Sequence, residues 1–187
     1  METKENILIA AEELFLEKGF DGTRTDEISK RAGTNHALLH YYFRSKTELF
    51  NVVLRKSVTE LTNALIAAFS DMPEGIDGIL EAMTRHYDIL RRKPGLPKFI
   101  VNEIYSRQDR IGQFRELIEE KTARVIEKLR ASLENEGCEM KAETLLTDII
   151  ILNSFPFLTS AIHYDRDAFL DARLEENIIL IKNRISK

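Results

Sequence analysis

Apolar residues recur at intervals of three and four positions along most of the chain, which is the spacing of side chains that share one face of an α-helix. No alternating apolar and polar run of convincing length favours a strand. Glycine and proline are clustered between the periodic segments, where they indicate turns. The pattern therefore predicts an all-α fold.

Two helices are predicted at the start of the chain, and the second of them is short. The first covers residues 4–20, and we expect Gly19 to end it. Thr25 is expected to cap the second helix and Gly33 to end it, because glycine tolerates the left-handed backbone that ends helices. The apolar stripe of the first helix consists of Ile7, Ala11, Leu14 and Phe15.

A third predicted helix runs from about Asn35 to Phe43, with Asn35 or Thr34 as its cap. Leu39 and Phe43 are four residues apart, so both are expected to face the protein. Ser45 and Glu48 then form a capping box that opens a fourth helix. The remaining side chains of the third helix are expected to project outward and suit contact with a nucleic acid: His36, Ala37, His40 and Tyr41.

The same spacing predicts helices through the rest of the chain. Clusters of glycine and proline at residues 71–75 and 93–97 are expected to separate them, and Gly137 is expected to end a long one. The predicted helices cover residues 46–69, a segment that ends at 92, and residues 98–106, 111–136, 141–163 and 167–186.

Charge is distributed unevenly along the chain. The 187 residues include 27 basic and 31 acidic ones, which gives a formal net charge of −4. The segment from Ile28 to Lys46 has no acidic residue and four basic ones, Lys30, Arg31, Arg44 and Lys46. Because the net charge is negative, any affinity for DNA must come from this segment.

The residues from Lys4 to Phe50 resemble the N-terminal domain of the TetR family of bacterial transcriptional regulators. The resemblance implies a helix-turn-helix DNA-binding domain at residues 1–48 and a helical effector-binding and dimerisation domain at 49–187. It also implies a homodimer joined through the last two helices. The family pattern is carried by Thr23, Thr25, Ile28, Ala32, Gly33, Leu39, Tyr42, Phe43, Lys46 and Leu49.

The resemblance further implies a repressor that binds a palindromic operator and is released by a small molecule. A transcriptional activator and a helical partner-binding protein are the open alternatives. Thr34, His36 and His40 depart from the usual family residues, so the operator sequence is not implied. In this reading Thr25, Tyr42 and Lys46 hold the DNA backbone and His36, Ala37 and Leu38 lie nearest the bases, within a candidate set of Thr25, Asn35, His36, Ala37, Leu38, His40, Tyr41, Tyr42 and Lys46.

Two residues of this set have a second interpretation. Tyr42 could be a core aromatic residue, although a ring with a hydroxyl group also suits an interface. Leu38 lies beside the core residue Leu39, and adjacent helix positions face different ways, so contact with a thymine methyl group is an alternative to core packing.

Other chemistry receives little support from the sequence. His36 and His40 have the spacing of a metal-binding pair, but the glutamate of the zincin motif and a third ligand are missing, so no metal, cofactor or catalytic residue is predicted. No nucleophile elbow or phosphate-binding loop indicates an enzyme. The single cysteine, Cys138, fits a reducing compartment, and the N-terminus does not read as a secretion signal, so a cytoplasmic location is expected.

The resemblance also implies a small-molecule cavity in the second domain. The candidate lining residues are Tyr87, Phe99, Phe114, Asn153 and Phe155, with ordinary core packing as the alternative for each aromatic residue. His86 and His163 are expected to be surface or satisfied core groups. Residues 149–158 form the longest apolar stretch and are expected to be too short to cross a bilayer, which takes ~20 residues.

Overall fold

The computed structural model describes residues 2–106, 112 and 114–186, with residues 104–106 described by their backbone alone. These residues form helices and no strand, so the all-α prediction is confirmed. The helices are α1 Glu2–Gly22, α2 Thr25–Arg31, α3 His36–Tyr42, α4 Lys46–Phe69, α5 Ile76–Arg92, α6 Gly95–Ser106, α7 Arg115–Asn135, α8 Ala142–Thr159, which continues into the 3₁₀ turn Ser160–Ile162, and α9 Arg166–Ile185.

The predicted turn between α2 and α3 is confirmed in its details. Gly33 has a φ of 64°, and the backbone N–H groups of Gly33 and Thr34 donate to the carbonyls of Lys30 and Ser29. This pair of bonds is a Schellman motif, which ends a helix on a left-handed glycine. Asn35 Oδ1 then accepts from the Leu38 N–H at 2.9 Å and caps α3. The chain therefore reverses between the two helices within a few residues.

The predicted cap of α2 is wrong. Arg24 occupies the cap position and Thr25 is the first helical residue. The Glu27 carboxylate accepts from the Arg24 N–H at 3.2 Å, so an acidic side chain in the first turn satisfies the helix end without a hydroxyl at the cap. The Lys18 ammonium, which donates to Glu27 at 3.1 Å, and this backbone bond hold the pKa of Glu27 below its usual value.

Two other predicted bounds need adjustment. Gly19 has a φ of 70° and kinks α1, but helical structure resumes and continues to Gly22. Helix α6 begins at Gly95, three residues before its predicted start, because Pro97 falls in the first turn, where a missing N–H costs no helical hydrogen bond. The predicted start of the next helix at residue 111 lies outside the described residues, and α7 is described from Arg115.

The first hydrophobic cluster joins the four N-terminal helices to α6. The Phe50 ring on α4 lies 4.9 Å from the Phe15 ring on α1 and 5.7 Å from the Phe99 ring on α6, measured between ring centroids. This cluster therefore crosses the division between residues 48 and 49 that the sequence predicts. A second cluster packs α4, α5, α7, α8 and α9 together.

Helix α8 is strongly apolar, as the sequence predicts. The segment Ala142–Ile162 is long and apolar enough to cross a bilayer by length and composition alone, a test that buried core helices also pass. It packs against α5, α6, α7 and α9, as a core helix does. Its outer face leaves Ile151 and Phe155 exposed, and α9 leaves Ile179 and Leu180 exposed beside it.

Candidate functional site

Helix α3 is anchored on one side and open on the other. Leu39 is fully buried and Phe43 nearly so, and both belong to the first hydrophobic cluster. The opposite side of the helix exposes 40% of Leu38 and 79% of Tyr41. The candidate residues Asn35, His36, Ala37 and His40 are also exposed. The structure therefore brings these candidates together on one accessible surface, which we call the α3 surface.

A small polar cluster connects α2 to the α3 surface. His36 Nε2 lies 3.3 Å from the Thr25 hydroxyl and 3.7 Å from Asp26 Oδ1, and its ring lies 4.4 Å from the ring of His40. The contact with Asp26 is an ion pair when His36 is protonated. The sequence analysis used Asp26 only as a favourable charge at the start of α2, so this partner of His36 was missed. Its position in the first turn of α2 was the available signal.

Tyr42 and Lys46 lie at the C-terminal edge of the α3 surface. Tyr42 is half-buried, with its ring 5.2 Å from the exposed ring of Tyr41. The Lys46 ammonium lies 4.3 Å from the centroid of the Phe20 ring, beside the start of α4. Ser45 caps that helix by accepting from the Glu48 N–H at 3.1 Å, as predicted. A lysine beside a helix N-terminus is a favourable place for a phosphate.

The basic residues near this surface differ in whether an acidic side chain already compensates their charge. The Arg31 guanidinium lies 3.6 Å from Glu13 and 3.5 Å from Glu17, so two carboxylates of α1 compensate its charge. Lys30 and Arg44 are exposed. The Lys4 ammonium lies 5.8 Å from the Phe43 ring and brings a further positive charge close to α3, which the sequence analysis did not identify.

A second feature is an apolar cavity of about 410 Å³ that is lined by helices α4 to α8 and open to solvent on one side, where Ile151 and Phe155 are exposed. Of the predicted lining residues, Phe155 lies on its wall. The described lining residues carry no charged side chain and include one histidine. They are Val58, Leu61, Thr62, Leu65, His86, Pro97, Ile100, Val101, Ile118, Thr122, Ile150, Ile151, Ser154, Phe155 and Leu158.

The prediction is wrong for the other four residues, because they do not line this cavity. The Tyr87 hydroxyl is buried and donates to the Leu170 carbonyl at 2.8 Å, and burial raises the pKa of Tyr87 to about 12. Phe99 packs in the first hydrophobic cluster. Phe114 is buried beneath the Arg55 guanidinium and lines a separate pocket beside the first turns of α4. Asn153 is fully buried and donates to the Met83 carbonyl at 2.8 Å.

His86 is the titratable group on the cavity wall. It is 2% exposed, and its Nδ1 lies 3.1 Å from Asn153 Nδ2. Desolvation lowers the pKa of His86 to about 4, so the imidazole is neutral near pH 7. The sequence analysis expected a surface or satisfied core group; the residue is buried, and one of its ring nitrogens has a protein partner.

Comparisons with known proteins relate the chain to bacterial transcriptional regulators. A sequence model of bacterial regulatory proteins of the TetR family matches residues 7–53. The chain is 30% identical to the transcriptional activator FasR of Mycolicibacterium smegmatis over 48% of this chain and 41% of FasR. It is 31% identical to the transcriptional repressor NicS of Pseudomonas putida over 54% of this chain and 48% of NicS. The chain thus matches less than half the length of either relative.

The whole fold is similar to that of a solved transcriptional regulator. FadR of Bacillus subtilis, whose structure is a complex with stearoyl-CoA, has a TM-score of 0.66 and 16% sequence identity to this chain. The match covers 93% of this chain and 97% of FadR, so the likeness of fold extends well beyond the N-terminal helices.

Proposed function

Because this chain belongs to the TetR family of bacterial regulatory proteins, we propose that it is a transcriptional regulator that binds a palindromic DNA operator as a homodimer and is released by a small molecule. The observation that carries the proposal is the α3 surface, which is exposed while Leu39 and Phe43 fix the helix to the core. A helix held in this way can enter the major groove, where each base pair presents a different pattern of donors and acceptors.

We assign the contacts by chemistry. Thr25, Tyr42 and Lys46 carry groups that can bind phosphate and surround α3, so they are assigned to the DNA backbone. His36, Ala37 and Leu38 occupy the first turn of α3 and are assigned to base edges. Asn35, His40 and Tyr41 complete the proposed interface. Thr25 and His36 lie 3.3 Å apart, so a residue assigned to the DNA backbone and one assigned to the bases are adjacent on the same surface.

Selection of bound duplexes from a random DNA pool tests DNA recognition directly. We expect an enriched inverted repeat whose half-sites are separated by about one or more turns of DNA, ~34 Å or a multiple. Affinity for the selected site should fall steeply between two salt concentrations, because phosphate contacts release counterions. Failure to enrich any sequence, together with salt-insensitive binding, would favour the alternative of a helical partner-binding protein.

The homodimer is proposed to form through the outer faces of α8 and α9. These faces expose Ile151, Phe155, Ile179 and Leu180, and such a patch on two adjacent helices is typical of an interface between proteins. A two-fold axis through this patch would give a pair of α3 helices that matches an inverted repeat.

Release by an effector is proposed to act through α4. This helix begins at Lys46 beside the α3 surface and lines the cavity farther along with Val58, Leu61, Thr62 and Leu65. A ligand that binds better to one orientation of α4 would shift the spacing of the two α3 helices. The lining of the cavity, which is mostly apolar and has no charged side chain among the described residues, supports an apolar effector.

We propose repression rather than activation, and a cytoplasmic location, where the chromosome is accessible. The relatives include an activator, FasR, and a repressor, NicS, so their names alone do not decide the direction. A reporter gene behind the selected operator decides between them. Transcription should fall when the protein is expressed, and a rise would make the protein an activator that uses the same α3 surface.

A further inference from the structure

The hydrogen bonds around His86 determine which of its ring nitrogens carries the proton. Asn153 Nδ2 donates to the Met83 carbonyl at 2.8 Å, and a carbonyl oxygen can only accept, so the orientation of the Asn153 amide is fixed. The second N–H of this amide points to His86 Nδ1, which lies 3.1 Å from Nδ2. Nδ1 therefore accepts, and in a neutral imidazole the proton must then be on Nε2.

This tautomer gives the cavity a buried N–H donor. His86 lies on the cavity wall, and within the described residues Nε2 has no hydrogen-bond partner. The hydroxyls of Thr62 and Thr122 donate to the carbonyls of Val58 and Ile118 in their own helices, each at 2.8 Å. The protons of these two hydroxyls are therefore already engaged within their own helices, and His86 provides an N–H of fixed position.

The cavity also disfavours charge. None of its described lining residues is Lys, Arg, Asp or Glu. A charged group moved from water into such a wall loses its hydration without gaining a partner of opposite sign. A neutral acceptor loses less, and it can regain one hydrogen bond from the imidazole.

We infer that the cavity selects an uncharged apolar molecule with a carbonyl group, such as a ketone, an ester or an amide, and that His86 Nε2–H binds the carbonyl oxygen. The inference rests on the proposed function in one respect, which is that this molecule is the effector. Binding itself requires neither DNA nor a response of α4.

Displacement of a dye from the DNA-free protein tests the inference. N-phenylnaphthylamine is an uncharged dye whose fluorescence rises in apolar surroundings, and its amine donates rather than accepts, so its affinity reports the cavity without the proposed hydrogen bond. Methyl nonyl ketone should displace the dye. Undecanoate has the same number of carbon atoms and a negative charge near neutral pH, and it should bind at least about tenfold more weakly.

Three variants separate the hydrogen bond from cavity shape. His86→Leu should weaken the ketone about tenfold while the affinity for the dye stays the same, because one buried hydrogen bond is lost. His86→Gln keeps an N–H donor and should restore most of the ketone affinity. Val101→Ala removes apolar surface from the cavity wall, outside the proposed dimer interface, and serves as the matched control, since it should change the affinities for ketone and dye alike.

Several results would overturn the inference. These are undecanoate binding as tightly as the ketone, no displacement by the ketone, or unchanged ketone affinity in His86→Leu. If His86→Leu does not fold, as judged by circular dichroism, the comparison of ketone with carboxylate on the unaltered protein decides. Selective ketone binding without release of the selected operator would instead count against the proposed effector response and leave the inference standing.

Discussion

Lys46 and Arg31 carry the same charge but have different surroundings, and the pair provides a test of the proposed phosphate contacts. Arg31 is compensated by Glu13 and Glu17, whereas the Lys46 ammonium lies over the Phe20 ring beside the start of α4. Lys46→Ala should weaken binding to every DNA sequence about equally and reduce the salt dependence by about one released counterion. Tyr42→Ala should also weaken binding uniformly, without that change in slope.

Arg31→Ala is the matched control, because it removes one positive charge as Lys46→Ala does. Fluorescence anisotropy with the selected operator and an unrelated duplex at several salt concentrations measures both effects. Equal losses in Lys46→Ala and Arg31→Ala would mean that DNA responds to overall charge, and the phosphate contact at Lys46 would be wrong.

His36 and Leu38 should determine which bases are read. Each is exposed in the first turn of α3, where side chains reach base edges. His36→Ala or Leu38→Ala should reduce discrimination at one position of each half-site by about 1 to 3 kcal/mol and leave binding to unrelated DNA nearly unchanged. Repeating the duplex selection with each variant measures this. An unaltered consensus would remove the residue from the set of base contacts.

His86 makes the stability of the protein depend on pH. Its pKa is lowered by burial from 6.5 to about 4, so between these values the unfolded chain binds a proton that the folded protein does not. The stabilisation is therefore complete above about pH 6.5 and is lost as the pH falls toward 4. It amounts to about 3 kcal/mol, at about 1.4 kcal/mol for each pKa unit.

Urea unfolding at pH 7 and near pH 4.5 measures this contribution. The unaltered protein should lose more stability across this interval than His86→Gln does, because glutamine does not titrate. The same acidic residues titrate in both proteins, so their effect cancels in the comparison. Equal losses would show that burial does not lower the pKa of His86 in the folded protein.

At the scale of whole helices, the turn between α2 and α3 sets the orientation of α3. Gly33 has a φ of 64°, and nothing lies within 4 Å of the position a Cβ would take, so a substitution there meets backbone strain alone. Gly33→Ala should cost about 1 kcal/mol of stability and weaken DNA binding, because it disturbs the junction that sets the orientation of α3.

Gly137 at the end of α7 gives a matched comparison. It has a φ of 66°, an equally open Cβ position and the same two Schellman bonds, from Gly137 N–H to Glu134 and from Cys138 N–H to Leu133. Gly137→Ala should cost a similar amount of stability without loss of DNA affinity. Urea unfolding and anisotropy compare the two variants. A similar loss of DNA binding in both would indicate a general effect of stability.

The helical elements were largely predictable because their signals are local. Gly33, Asn35 and Ser45 act within one turn of their own position, and the structure confirms each of them. The prediction of Thr25 as the cap was wrong because the same turn offers two ways to satisfy the helix end, a hydroxyl at the cap or a carboxylate in the first turn. The structure uses the second, since the Arg24 N–H donates to Glu27. Periodicity gives the face of a helix, but the neighbour of that face is a long-range property.

That limit explains why most of the predicted lining residues of the cavity were wrong. Tyr87 and Phe155 both occupy apolar helix faces, yet Tyr87 meets α9 through its bond to Leu170, whereas Phe155 borders an open space. Large aromatic residues more often fill such spaces than leave them, so they are poor guides to a cavity. His86 was the better indicator, because a titratable residue on an apolar helix face calls for a specific partner or a ligand.

The assembly of two subunits is a property of the whole molecule. Leu180 is 48% exposed on the outer face of α9 and does not line the cavity, so Leu180→Glu should disrupt the proposed dimer without blocking a ligand. Val52 on α4 is similarly exposed at 40%, and Val52→Glu is the control. Light scattering should give a monomer for Leu180→Glu and a dimer for Val52→Glu. If both variants were dimers, the interface would not include Leu180.

The length of α4 has a geometric consequence for the whole complex. Its 24 residues span about 36 Å at ~1.5 Å per residue. A rotation of this helix by about 5° around its distal end would move Lys46 by about 3 Å, close to the ~3.4 Å rise of one base pair. In a symmetric pair the displacement occurs twice and in opposite directions. A ligand in the 410 Å³ cavity that rotates α4 in this way would therefore change the separation of the two α3 helices by about two base-pair steps.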